Sequence, residues 1–251
     1  MTIASRSGWA IVAALGFGAA CPPRALAQAI VVAPVTLHLA TGHRATLLRI
    51  TNSGAAPTRV QLRAFGWSQG TSGDDRLVPA DELVIGPPFA TLAPRATQVV
   101  RLLLRAQDAA AAPARERAYR LMIYRLPDPA AVTAGKRAIQ LRLNLSLPVF
   151  VDPAAAPAAA PPAWRIEGAP GHRELVVVNR GVRHLRVDAL ALAQAGGASV
   201  ALAGNGSRYV LAGAERRWPL PTGLAPGAAP VTLTVKDGDA TTTVVVAAPA
   251  S

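Results

Sequence analysis

The chain has 251 residues, of which 51% are hydrophobic, 4% aromatic and 16% charged, with one cysteine and a formal charge of +12. That length suits one large all-β domain or two ordinary domains, with cores of Ala, Val and Leu rather than large rings. Disulfide stapling is excluded by the cysteine count, and no later apolar run is long enough to cross a bilayer as a helix.

Residues 1–27 read as a secretory signal peptide. Arg6 gives a positive start, Trp9 to Ala20 an uncharged apolar run, and Ala25-Leu26-Ala27 a small-x-small cleavage site before Gln28. The only cysteine, Cys21, leaves with it. So do two arginines and no acid, leaving 24 basic residues against 14 acidic, a charge of +10. The basic residues are scattered along strands without a lysine-rich run. Nucleic acid is therefore not an expected partner, nor is stable membrane insertion; an acidic protein or an anionic surface fits better.

From Gln28 the sequence is strand after strand. Ala29 to Leu39 is extended and broken at Pro34. Ala45 to Thr51 is a strand turned by Asn52-Ser53-Gly54, and Thr58 to Trp67 alternates apolar with polar. Gln69 to Asp75 reads as a polar loop. Leu83 to Leu92 contains the stiff turn Gly86-Pro87-Pro88. Gln98 to Arg105 is a strand, Ala106 to Arg115 a loop or short helix, and Tyr119 to Leu126 a strand ending at Pro127. Asp128 to Lys136 is a connection.

The next stretch, Ala138 to Asp152, organises the rest. Ile139, Leu141, Leu143, Leu145 and Leu147 alternate with Gln140, Arg142, Asn144 and Ser146. A strand sends alternate side chains to opposite faces, so one row is apolar and one polar, over ~27 Å. Pro148 lacks a backbone donor and gives the strand edge character. A long apolar edge strand invites aggregation unless the fold or a partner covers it. Seven strands in this half, with turn signals at regular spacing, predict an immunoglobulin-like sandwich.

Ala154 to Ala163 is a Pro/Ala linker, stiff enough to space two domains. A second β-region follows, with strands expected at Trp164–Glu167, Glu174–Asn179, His184–Leu192, Ser199–Leu202, Ser207–Leu211, Arg217–Leu220, Val231–Val235 and Thr241–Val246. The halves echo each other. Leu48 to Gly54 (LRITNSG) is answered by Val176 to Gly181 (VVVNRG), each followed by an alternating strand. Two copies of one sandwich plan is the simplest account. The fold class is all-β, with a signal peptide at 1–27, domains at 28–153 and 164–251, and a linker at 154–163.

Catalytic sets are missing from the sequence. The mature chain has no cysteine, its four histidines lack metal-ligand spacing, no serine sits in a Gly-x-Ser-x-Gly elbow, and no glycine loop cradles phosphate. No enzyme activity, metal or cofactor is expected. Two basic residues on strands are more informative. Arg120 sits within the apolar Tyr119-Arg120-Leu121, and Arg142 on the polar row of the long strand. If these strands pair, their guanidinium groups could meet and hold a carboxylate in two-point contact.

Six stretches carry a resemblance: Val35 to Gly54, Pro57 to Trp67, Pro87-Pro88 with Leu92-Ala93-Pro94, Gln98 to Leu102, Tyr119 to Pro127, and Leu145 to Val151. In that order they resemble the periplasmic pilus-assembly chaperones of chaperone–usher systems, the PapD-like family. The Ser146-Leu147-Pro148-Val149-Phe150 ending looks more like its archaic branch. The resemblance implies two immunoglobulin-like sandwiches in an L shape and a periplasmic location. It implies donor-strand complementation, with Ile139, Leu141, Leu143 and Leu145 filling the groove of a pilus subunit, spore-coat-U-like in the archaic branch. An outer-membrane usher would receive the subunit. The basic anchor used in the better-studied branch has no counterpart at Val35 to Leu37 or Pro148, so Arg120, with Arg142 or Lys136, is the replacement for the subunit carboxylate. The other reading of the same strand is a secreted structural or adhesive sandwich protein that self-associates.

Overall fold

The computed structural model describes residues 30–70, 73–105, 113–127, 144–153, 160–169, 171–194, 197–202, 208–221 and 230–247. Among them every regular element is a strand.

The described residues of the first half form ten strands: β1 (Ile30–Ala33), β2 (Leu37–Leu39), β3 (Ala45–Asn52), β4 (Thr58–Gln69), β5 (Asp75–Pro79), β6 (Leu83–Gly86), β7 (Phe89–Leu92), β8 (Thr97–Leu104), β9 (Arg117–Leu126) and β10 (Asn144–Val151). One sheet has the order β1-β3-β8-β6; the other runs β2-β10-β9-β4-β5, with β7 also on β4. The period-2 pattern decides what each strand buries. Leu48 and Ile50 of β3 and Val100, Leu102 and Leu104 of β8 face Val60 and Leu62 of β4, Leu121 and Ile123 of β9, and Val149 of β10 in one core. Each such leucine contributes about 1.5–3 kcal/mol by leaving water.

Two expected strands are each divided between the sheets. The chain leaves the first sheet after β1 and after β6 and enters the second at β2 and β7. Both crossings hold a cis X-Pro bond, Ala33-Pro34 and Gly86-Pro87. The loop expected at Gln69 to Asp75 is shorter than its sequence suggests. Gln69 closes β4 and pairs with Asp75, the first residue of β5. All five residues of β5 are exposed, so no burial pattern marked it.

The described residues of the second half form nine strands: β11 (Ala163–Glu167), β12 (Glu174–Val178), β13 (Leu185–Arg186), β14 (Ala189–Ala193), β15 (Val200–Leu202), β16 (Tyr209–Val210), β17 (Glu215–Pro219), β18 (Val231–Asp237) and β19 (Ala240–Val246). They form the sheets β11-β12-β17, β13-β16 and β15-β14-β18-β19. The single strand expected over His184–Leu192 is two, β13 and β14. Leu175, Val177, Leu192, Trp218 and Leu233 lie in a second, separate core.

The sequence echo has a structural counterpart. Asn52 is fully buried, and its amide donates to the carbonyls of Ala56, Leu92 and Ala93 while its Oδ1 accepts from Gly54 N–H. Asn179 repeats this with Arg183, Val210, Leu211 and Gly181. Each asparagine ties a turn to a distant strand using both ends of its amide.

On the open face of the β11-β12-β17 sheet, Arg165 bonds Glu167 and reaches Glu215 at 2.8 Å, and Arg217 reaches Glu167 at 2.9 Å. Hydrogen bonds from Arg165, then Arg217, hold the Glu167 and Glu215 carboxyls below the ordinary value. A carboxyl lowered by folding stabilises above its unfolded pKa, about 4.3, and loses that contribution as pH falls through the folded value. The melting temperature should therefore drop on acidification below about pH 4.3. Glu215→Gln should flatten that acid limb, read by thermal melts from pH 6 to pH 2.5. An unchanged slope would exclude the cluster as its source.

Candidate functional site

β10 pairs antiparallel with β9 along its whole length, Asn144 opposite Tyr124 to Val151 opposite Arg117. Its other edge meets β2 only at Val149 to Val151, in parallel register with Leu37 to Leu39. Among the described residues, Asn144 to Pro148 therefore have a strand on one side only. An unpaired edge is a template for another chain's strand. Leu147, Val149 and Val151 face the chain's own core, whereas Leu145 is half-buried against its margin. Ile139, Leu141 and Leu143, which share its row by parity, lie outside the described residues.

The opposite row changes character after Pro148. Phe150 sits on the strand's otherwise polar side, fully buried because the second half covers it. Its ring stacks on His184 at 3.8 Å between centroids and lies 5.5 Å from Tyr209 and 6.1 Å from Trp67. With Leu211 these rings form a third apolar cluster joining the halves. Polar contacts flank it. The Glu116 carboxylate takes the His184 backbone N–H and its ring Nδ1, each at 2.7 Å. Arg183 reaches Asp152 at 2.9 Å, and Glu116 N–H donates to the Val182 carbonyl. Gly213 adopts φ +77°, and a Cβ there would collide with Arg115 across the junction. A cavity of about 410 Å³ opens beside the cluster, lined by Trp67, Gln69, Glu116, Tyr119 and Leu211 among others.

Arg120 stands at this junction. Its partner across the ladder is Pro148. Arg142 and Lys136, the residues expected to assist Arg120, lie outside the described residues. The Arg120 side chain, 13% exposed, lies with its guanidinium carbon 3.7 Å from the Trp67 ring centre. Asp75 is 3.7 Å away. Burial pushes the guanidinium below its ordinary pKa, while Asp75 and Tyr209 oppose that shift. Stacking on an indole face suits a weakly hydrated cation in such a place. Sequence reasoning missed Trp67 and Phe150. Both are large rings on the polar row of an alternating strand, and that phase error was their signal.

No helix among the described residues is long and apolar enough to cross a membrane. An all-β chain with a separate core in each half defines a two-sandwich protein. Residues 29–157 match the family of pili and flagellar-assembly chaperones, PapD N-terminal domain. The match spans just over half the sequence, and the chain belongs to that family. No curated protein sequence matches it significantly. Among solved structures, it resembles a chain from the CsuC–CsuE chaperone–tip subunit pre-assembly complex of the archaic chaperone–usher Csu pili of Acinetobacter baumannii. Identity is 19%, TM-score 0.64, with 89% of this chain and 100% of that one covered. The YadV chaperone follows at 15% identity and TM-score 0.63, covering 86% and 98%. The Salmonella enterica SafA pilin–SafB chaperone complex gives 15% and 0.57, covering 87% and 96%. At these identities the likeness establishes the fold: two immunoglobulin-like β-sandwich domains.

Proposed function

We propose that the chain captures a pilus subunit by lending it a strand in the periplasm and passes it to an outer-membrane usher, without catalysis or cofactor. The observation that carries this is the open edge of β10 at Asn144 to Pro148. The donor row is Ile139, Leu141, Leu143 and Leu145. Four leucine-sized side chains entering a subunit groove supply about 6–12 kcal/mol before the costs of association. Main-chain bonds along the edge add affinity, and the pockets for alternate side chains add selectivity. The subunit carboxylate is assigned to Arg120, assisted by Arg142 or Lys136; a carboxylate there would offset the burial of the Arg120 guanidinium. On this reading the chain divides into an N-terminal domain at 28–153, a linker at 154–163 and a C-terminal domain at 164–251.

A second surface supports onward transfer. On the outer face of the β1-β3-β8-β6 sheet, Val31, Leu47, Val84, Val99 and Leu103 are exposed, with Arg49 and Arg101 between them. Those four strands contain no acidic residue. This face is distinct from the β10 edge, so an usher and a subunit can be held together.

The test is a periplasmic pull-down of the tagged chain from cells expressing its pilus subunits. A roughly stoichiometric β-rich subunit is expected. The double substitution Leu141→Asp and Leu143→Asp should abolish its recovery, with the circular dichroism and melting temperature unchanged. Normal capture by that variant would sink the donor-row assignment. Recovery of the chain only as its own oligomer would favour the self-associating structural protein.

A further inference from the structure

The cluster of Phe150, Trp67 and Leu211 joins the two domains by apolar contact. Such contact is non-directional. It holds two surfaces together without fixing their angle, so directional contacts must do that. Glu116 with His184 and Val182, and Arg183 with Asp152, bond on one flank; elsewhere one side chain of the first domain bonds the second as a strand would.

Gln69 is the last residue of β4. Its Nε2 donates to the Tyr209 carbonyl at 2.8 Å, and its Oε1 accepts from the Leu211 N–H at 2.8 Å. Those two backbone groups flank Val210 and point to the same edge of the strand, because successive peptide groups alternate across it. The other edge is already used. Val187 N–H donates to the Arg208 carbonyl at 2.7 Å, in the β13–β16 pairing. The Gln69 amide therefore takes the place of a peptide group from a third strand. Its orientation is fixed by chemistry, since a carbonyl needs a donor and an N–H needs an acceptor. Nε2 also donates to Asp75 Oδ1 at 3.1 Å, which holds the second amide hydrogen within the first domain.

We infer that Gln69 is a positioning residue that fixes the angle between the two domains and, through it, the geometry in which a subunit is received. The second clause rests on the capture function proposed above; the first rests on the bonds alone. Gln69→Glu keeps the shape but sets a carboxylate against the Tyr209 carbonyl and Asp75. Gln69→Met keeps the length and removes both bonds without adding charge.

The experiment measures residual dipolar couplings of the full mature chain, free of subunit, for wild type and both variants. Subunit capture is measured separately. In wild type the two domains should share one alignment tensor. In both variants the tensors should diverge while the amide spectrum within each domain stays native-like, and subunit affinity should fall about tenfold. Shared tensors in both variants would overturn the angle assignment whatever the affinity. So would divergence in Gln69→Glu alone, which would make added charge the cause. Divergent tensors with wild-type affinity would overturn the link to capture. If wild type binds no subunit, the capture function fails, and the couplings still decide the angle.

Discussion

Asn52→Leu should destabilise the N-terminal domain by about 2–6 kcal/mol, measured as a shift in the midpoint of chemical unfolding. The substitution removes four side-chain hydrogen bonds. Two of them, to the Leu92 carbonyl and from Gly54 N–H, are fully buried. A buried backbone group left without a partner costs about 1–3 kcal/mol, against a total stability of about 5–15 kcal/mol for a domain. Asn52→Asp is the sharper test, because it preserves volume and the Gly54 bond. At neutral pH its carboxylate has nothing to donate to three carbonyl oxygens, so it should be at least as damaging as leucine. Asn179→Leu should produce the same loss in the C-terminal domain. A shift under about 0.5 kcal/mol, the range of ordinary surface substitutions, would show that neither asparagine ties its turn as described.

Phe150→Ala should cost about 3–5 kcal/mol, the usual range for deleting a buried phenylalanine ring. Its other consequence is more diagnostic. Phe150 is buried by residues of both domains: His184 and Tyr209 on one side, Trp67 on the other. Val149, its neighbour on the strand, faces only the N-terminal core. Calorimetry of Phe150→Ala should show the two domains melting in separate transitions. Val149→Ala should lower the N-terminal transition and leave the coupling in place. Equal behaviour of the two variants would mean that the ring cluster does not couple the domains.

The alternation from Ile139 to Leu147 was plain in the sequence because period 2 is local. It correctly placed Leu145 and Leu147 on one row. The burial of Phe150 was not legible: it lies on the polar row, and its covering groups are 34 and 59 residues away, at His184 and Tyr209. Arg120 stood out as a cation in an apolar strand, but its stacking on Trp67 depends on the β4–β9 register. The arginine expected to pair with it, Arg142, lies outside the described residues. Strand β5 escaped notice because neither of its faces is buried. The echo between Asn52 and Asn179 was visible as a turn motif. That each amide reaches back to a carbonyl 31 to 41 residues away is a property of the closed sandwich.

The pairing of β10 also sets how the chain bears force. Tension applied along this strand, as when a bound client is drawn away lengthwise, loads its ladder in shear. Eight register pairs with β9 and three with β2 then resist together rather than opening one by one. A client sharing only the open edge and pulled sideways from it separates by peeling, one bond at a time. The two joints differ in mechanical strength even where their bonds are alike, so a client held as proposed would be stripped off while β10 stayed seated.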